Sequence, residues 1–307
     1  MVPRPTPSAD GIRHGLLFDW LHIRCYEMED MNLQDWLGKT EEIQDRIYPT
    51  PARALALTLN YKDFEATEGN PLPEIWYWLY FLPIVPMSEV GPDGHPKRGG
   101  FLPPITLERR MWASGNLTFH QDLLIGDEIR KTSEIVKISE KEGKAGKLVF
   151  VTVKHLIQST RGVAVEEEQN IVYLHMPKSF VEPKPNPIPD DLDWREEYPI
   201  DPVLLFRFSA LTFNGHRIHY DWRYTTEVEK YPGVVVQGPL QALLLLESAK
   251  NHNPVKKPAS FNFRAVRPIF EFDKVHICGK SNTDGGHDIY SANTDDNIGM
   301  QATITWR

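Results

Sequence analysis

Nine residues, Phe213-Asn214-Gly215-His216-Arg217-Ile218-His219-Tyr220-Asp221, bring two imidazoles, an amide and a carboxylate into one short stretch. Histidine titrates near neutrality, so such a group can move a proton to or from a water held beside it. Three kinds of chemistry fit these residue types. Asp221 ahead of WRYTTEVEK suits a helix N-cap, its carboxylate accepting from the free amides of the first turn; that accounts for the aspartate and leaves the histidines without a task. His216, His219 and Asp221 are all metal-ligand types. Yet Gly215 and Arg217 put a bend and a positive charge among them, and the H-E-x-x-H pattern is missing, so no metal is expected. Acid–base catalysis in a cleft uses the histidines best. Downstream, YPGVVVQGPL leads into an apolar stretch, and a helix entered at Gly238 would offer free N–H groups and the positive end of its dipole to a developing oxyanion. Pro239 in the first turn fits a plain helix start equally well.

The elements around this loop follow from the hydrophobic pattern. Leu204 to Thr212 is apolar, and Gly233 to Lys250 (GVVVQGPLQALLLLESAK) reads as a buried helix. Strands resume at Phe261. Prolines recur from Pro177 to Pro199, so residues 177–199 read as an extended linker. Before it, Gly115 to Met176 alternates short β-branched runs with glycine-containing turns (EGKAG, TRG), the pattern of an antiparallel sheet. Pro49 to Tyr61 (PTPARALALTLNY) is the helix of the first half. SFNFRAVRPIFEFDKVHICGKSN echoes GNLTFHQDLLIGDEIRKTSEIVK, each a strand, an acidic turn and a second strand, which implies an internal duplication. With one helix and about four strands per half, a sheet wrapped around a central helix covers the apolar helix; this is the hot-dog arrangement, an α+β fold. The domains expected are an extension over residues 1–30, a first half over 31–176, the linker, and a second half over 200–307.

The chain has 307 residues, 41% hydrophobic and 25% charged. Its 42 acids against 34 bases give a net charge of −8, which excludes a global basic field for nucleic acid. Cys25 and Cys278 are far apart, which argues for neither a disulfide framework nor a cysteine zinc site. No window suits a membrane span. A cytoplasmic protein is expected, with a mitochondrial address as the alternative.

The order FSALTFNGHRIHYD, YPGVVVQGPL, FNFRAVRPIF, preceded by RRMWASGNLTFHQDLLIGDEI, resembles the MaoC-like hydratases and dehydratases. Within them it is most similar to the branch of type 2 hydroxyacyl-thioester dehydratases that includes mesaconyl-C4-CoA hydratase and itaconyl-CoA hydratase. The resemblance runs from about Met31 to the C-terminus. It implies a double hot dog with two antiparallel sheets each wrapped on a central helix, a single site where the halves meet, and a first half that is largely a wall. It also implies addition of water to a 2-enoyl-CoA, here a C5 dicarboxylic acyl group giving citramalyl-CoA, with no cofactor beyond the CoA of the substrate. A homodimer is implied as well. The general hydratase motif G-D-x-N-P-L-H lays its histidine on His219, its asparagine on His216, its proline on Arg217 and its aspartate on Asn214. An amide cannot take a proton as a carboxylate does. His219 is therefore expected to act as general base or acid, with Asn214 and His216 orienting the water and the Gly238 amide receiving the thioester oxyanion. Two alternatives are a 3-hydroxyacyl-thioester dehydratase of fatty-acid synthesis and a non-catalytic acyl-thioester scaffold.

CoA phosphates and an acyl carboxylate call for cations. The candidates are Arg264 and Arg267 in FRAVRP, with Arg98, Arg109 and Arg110 from KRGGFLPPITLERRMW. Arg264 and Arg267 lie three apart on a strand and so face opposite sides. Trp76, Tyr77, Trp78, Tyr80 and Phe81 are expected in the core or on a pocket wall.

Overall fold

The computed structural model describes residues 32–143 and 146–307; the expected N-terminal extension, and Met31 where the first half was expected to start, lie outside them. Ten antiparallel strands form one sheet among the described residues. They are β1 (Thr40–Arg46), β2 (Arg109–Phe119), β3 (Glu128–Gly143), β4 (Gly146–Ser159), β5 (Gly162–Leu174), β6 (Trp194–Tyr198), β7 (Pro258–Ala265), β8 (Val275–Ser281), β9 (His287–Ala292) and β10 (Ile298–Trp306). Their order, β1-β3-β4-β5-β2-β7-β10-β9-β8-β6, repeats itself about the β2/β7 pair: β1 corresponds to β6, β3 to β8, β4 to β9, β5 to β10 and β2 to β7. The duplication read from the echoing segments is thus a pseudo-twofold. Two five-stranded half-sheets, rather than about four strands each, join where Ser114 faces Arg264 and Leu117 faces Phe261.

The first half carries α1 (Pro49–Thr58), started by proline and burying Ala52, Leu55 and Ala56; it packs on the 3-10 turn Trp76–Leu79 and on the helix Pro202–Leu211 of the second half. The second half carries α2 (Pro202–Leu211), α3 (Trp222–Glu227) and the long α4 (Gly238–His252); α2 was read only as an apolar stretch, and α3 is the helix for which Asp221 suited the N-cap. Every residue of α4 from Leu240 to Ala249 is buried, because β7 to β10 wrap it. Truncating one such leucine, for example Leu245→Ala, would cost about 2–5 kcal/mol. Residues 233–237, read as helix, are extended instead: Val235 N–H donates to the Ile218 carbonyl at 2.9 Å and Val236 N–H to that of Ile269 at 2.8 Å. Tertiary partners for the backbone override local propensity there.

The halves are also tied through their helices. Trp76 of the first half donates its indole N–H to Glu247 of α4 at 3.1 Å, and Lys250 bridges Glu247 and Glu74 at 3.4 and 2.7 Å. Residues 177–193 carry no helix or strand beyond a bridge from Pro187 to Asn297, and residues 194–198 form β6 against β8. No helix among the described residues is long and apolar enough to cross a membrane.

Candidate active site

The loop between α2 and α3 begins with Phe213 in the left-handed region (φ 50°), which turns the chain out of α2. Asn214 then accepts the His216 N–H on its side-chain oxygen at 3.1 Å, and Arg217–His219 make a single 3-10 turn. Asp221 caps α3, accepting the Tyr224 N–H at 3.0 Å, and pairs with Arg217 at 2.7 Å. The carboxylate therefore serves the turn and does not meet the two histidines.

His219 is buried, and its Nδ1 lies 2.7 Å from the Val235 carbonyl. A carbonyl oxygen only accepts, so Nδ1 carries the proton and Nε2 presents a lone pair. Burial, reinforced by the neighbouring His216, pushes its pKa down to about 3, so the ring is neutral over the physiological range. His216 stands edge-on to it, ring centroids 5.4 Å apart, and reaches Glu229 through Nε2 at 3.3 Å. Glu229 in turn takes a hydrogen bond from Arg109 at 3.1 Å.

The sequence reading missed the residues on the other side of His216. The loop Gly91-Pro92-Asp93-Gly94-His95 of the first half folds against Asn214–His219, and the rings of His95 and His216 are 4.2 Å apart. His95 Nδ1 lies 3.0 Å from Asp93. Burial disfavours charge on Asp93, but the hydrogen bonds from His95 and the nearby charges outweigh it and hold the carboxyl below the usual carboxylate range. Burial pushes His95 down to about 3. An ionised Asp93 accepts a hydrogen bond from the Nδ1–H of the neutral imidazole, so the second nitrogen carries the lone pair.

Two glycines make this contact. A Cβ on Gly94 would lie 1.8 Å from the Gly215 carbonyl oxygen, and one on Gly215 would lie 2.4 Å from that of Gly94. The Arg217 N–H completes the joint by donating to the Asp93 carbonyl at 2.9 Å. The first half is thus more than a wall.

His95, Asn214, His216, His219 and Gly238 all line one cavity of about 570 Å³. Its walls include Tyr77, Trp78, Tyr80 and Phe81, whereas Trp76 is core. A bulge in β2 between Trp112 and Ser114 lets Arg110, Met111, Trp112 and Ala113 all face it. Farther in, Glu167 accepts from Tyr77 at 2.5 Å, beside Lys131, His155 and Gln169. The N-terminus of α4 opens on the cavity. Gly238 and Pro239 line it, and since Pro239 has no N–H, the Gly238 amide is the donor this turn can offer.

Residues 75–271 match the family model of hydroxyacyl-thioester dehydratase type 2. A mesaconyl-C(4)-CoA hydratase of Chloroflexus aurantiacus is 41% identical over 279 residues, covering 90% of this chain and 99% of its own. The chain belongs to the type 2 hydroxyacyl-thioester dehydratase family. A second member, the mitochondrial hydroxyacyl-thioester dehydratase type 2 of Schizosaccharomyces pombe, is 30% identical over 80% of this chain and 88% of its own. Among solved structures a MaoC-like dehydratase has a TM-score of 0.67 at 14% identity, covering 90% of this chain and 99% of its own. A Mycobacterium tuberculosis protein described as a double hotdog has 0.52 at 13%, covering 91% and 97%. The fold is the double hot dog.

Within this dehydratase architecture the five arginines separate by what holds them. Arg98 donates to the carbonyls of Ile105, Leu107 and Glu108 and so shapes the GGFLPP loop. Arg109 is latched to Glu229 and Tyr231. Arg267 lines the cavity but its guanidinium grips the carbonyls of Pro183 at 3.0 Å and Lys184 at 2.7 Å, pinning the proline-rich segment. Arg264 is exposed, on the opposite side of its strand from the buried Phe263. Arg110 alone of the five both lines the cavity and acts electrostatically on His95.

Asp93, His95 and His216 each bring a donor atom within 4.8 Å of the others, a set of metal-ligand type. His95 meets Asp93 through Nδ1 and His216 meets Glu229 through Nε2, beside the positive charge of Arg110.

Proposed function

We propose that the protein hydrates a C5 dicarboxylic enoyl-CoA, mesaconyl-C4-CoA or itaconyl-CoA, to citramalyl-CoA by histidine-centred acid–base catalysis. The observation that carries the substrate class is Arg110. In mesaconyl-C4-CoA the free carboxylate sits on the carbon that water attacks, so its cation must lie beside the proton-moving groups. Arg110 faces the cavity next to His95, where a guanidinium can receive a carboxylate in a bidentate pair. The 41% identity to a mesaconyl-C(4)-CoA hydratase supports the same reading.

In this reading the thioester carbonyl lies against the Gly238 amide at the start of α4, whose dipole stabilises the enolate oxygen as water attacks. His219, neutral and with its Nε2 lone pair available, accepts a hydrogen bond from that water. Asn214 has its oxygen engaged by the His216 amide, so its NH₂ group is what remains to contact ligand.

The test is the steady-state hydration rate of mesaconyl-C4-CoA beside crotonyl-CoA, followed by loss of the enoyl-thioester absorbance. A large preference for the dicarboxylate is expected. Equal rates, or a preference for crotonyl-CoA, would refute the C5 assignment and move the protein to the straight-chain dehydratases.

A further inference from the structure

We propose that His95, held by Asp93, is the proton acceptor of this hydration site, so that the first half supplies a carboxylate-backed imidazole beside Asn214. The proposal rests on the hydration reading and adds a catalytic residue to it.

Three observations carry it. First, the position where the general hydratase motif has its aspartate is Asn214, an amide that cannot hold the proton. Second, the imidazoles around Asn214 differ in what stands behind them: His216 meets Glu229, a carboxylate already paired with Arg109. His219 is backed by the neutral carbonyl of Val235, which orients the ring but cannot balance a charge. His95 is backed by Asp93, whose Oδ2 faces Nδ1 at 3.0 Å while Oδ1 accepts the His95 N–H at 3.1 Å. A carboxylate fixed in that way stabilises the imidazolium as it forms, the role a carboxylate has behind any catalytic histidine. Third, the Gly94–Gly215 approach and the Arg217-to-Asp93 hydrogen bond seat the pair against the His216–His219 loop on one shared cavity.

The step balances as follows. The water oxygen bonds to the carbon β to the thioester while its proton passes to His95 Nε2. The π pair of the alkene moves toward the α-carbon and the thioester oxygen. The α-carbon then takes the proton from the His95 imidazolium, which returns to neutral, and water is the sole addend. His219 holds the second hydrogen of the water. Asp93 is a positioning residue, acting through His95.

The experiment compares the full-length wild type with His95→Gln, His95→Ala and Asp93→Asn on saturating mesaconyl-C4-CoA and crotonyl-CoA, with melting curves to confirm folding. Loss of a general base lowers kcat by about 10²–10⁴-fold, and that loss is expected in His95→Gln with KM little changed. Asp93→Asn should lower kcat by a smaller factor, and added imidazole should restore part of the turnover of His95→Ala. The proposal is overturned if folded His95→Gln keeps more than about a tenth of kcat, if the loss falls on KM alone, or if imidazole has no effect on folded His95→Ala. A wild type that hydrates crotonyl-CoA and leaves mesaconyl-C4-CoA untouched refutes the dicarboxylate reading, and the pair is then judged on crotonyl-CoA. A wild type inert toward both refutes both readings.

Discussion

Lowering the pH from 7 to 5 should remove a calculable part of the protein's stability, because the fold keeps three imidazoles neutral. Burial holds His219 and His95 at about 3 and His155 at about 4. In the unfolded chain each titrates near about 6.5. The folded-state pKa values are depressed, so the unfolded chain binds protons that the native state refuses. Stability therefore falls as pH drops through the unfolded value and goes on falling toward 3. Between pH 7 and pH 5 each site contributes a loss of about 2 kcal/mol, and three sites about 6 kcal/mol, comparable with the ~5–15 kcal/mol that holds a domain together. Buried Glu167 and Glu247, whose pKa values are raised by burial, act in the opposite sense, so the absolute slope is a sum. The double difference isolates one ring: His219→Gln should lose about 2 kcal/mol less than wild type between the two pH values. Urea unfolding of both proteins at pH 7 and pH 5 measures it. A double difference under about 0.5 kcal/mol would mean that His219 is already charged, or already solvated, in the folded state.

Three further outcomes follow from the site. Arg110→Met should lower kcat/KM for mesaconyl-C4-CoA by about ten- to a hundredfold, the worth of one charged hydrogen-bonding group, while crotonyl-CoA is little affected; an equal loss on both would make Arg110 structural. Gly215→Ala should cost up to about a hundredfold in kcat, because the new methyl group would sit 2.4 Å from the Gly94 carbonyl oxygen and must push the two loops apart; steady-state kinetics with unchanged circular dichroism checks this, and wild-type kcat refutes it. Arg109→Ala should destabilise by about 3–5 kcal/mol, since Glu229 is left buried without its cation; a change in urea midpoint worth under about 1 kcal/mol would show the pair to be dispensable.

The second half of the site was legible because its signals are local. Two histidines three apart and an apolar stretch after a Gly-Pro step sit within forty residues of one another. The long helix and the alternating strands declared themselves by period, and the echo between segments gave the pseudo-twofold. His95 did not declare itself. Its loop has no period, and its meaning depends on Asn214–His219, more than a hundred residues away, meeting it across the β2/β7 joint. The signal that could have found it is Asp-Gly-His itself: a carboxylate two residues before a histidine, with a glycine between that permits close approach. The arginines were unrankable for the same reason. Whether a guanidinium is available depends on carbonyls and carboxylates brought in from distant segments, as Arg267 and Pro183 illustrate. The late start of α4 depends likewise on Ile218 and Ile269, which claim the amides of Val235 and Val236.

The contact between Gly94 and Gly215 also bears on how such a chain can evolve. After an ancestral half is duplicated, its two copies are free to drift apart wherever their environments differ. At this pair they are not, because a side chain at either position strikes the other loop's backbone. The two glycines form a single unit of inheritance. Related chains that keep both loop lengths should keep both glycines, and a lineage that loses one should carry an insertion, a deletion or a rebuilt turn in the opposite half.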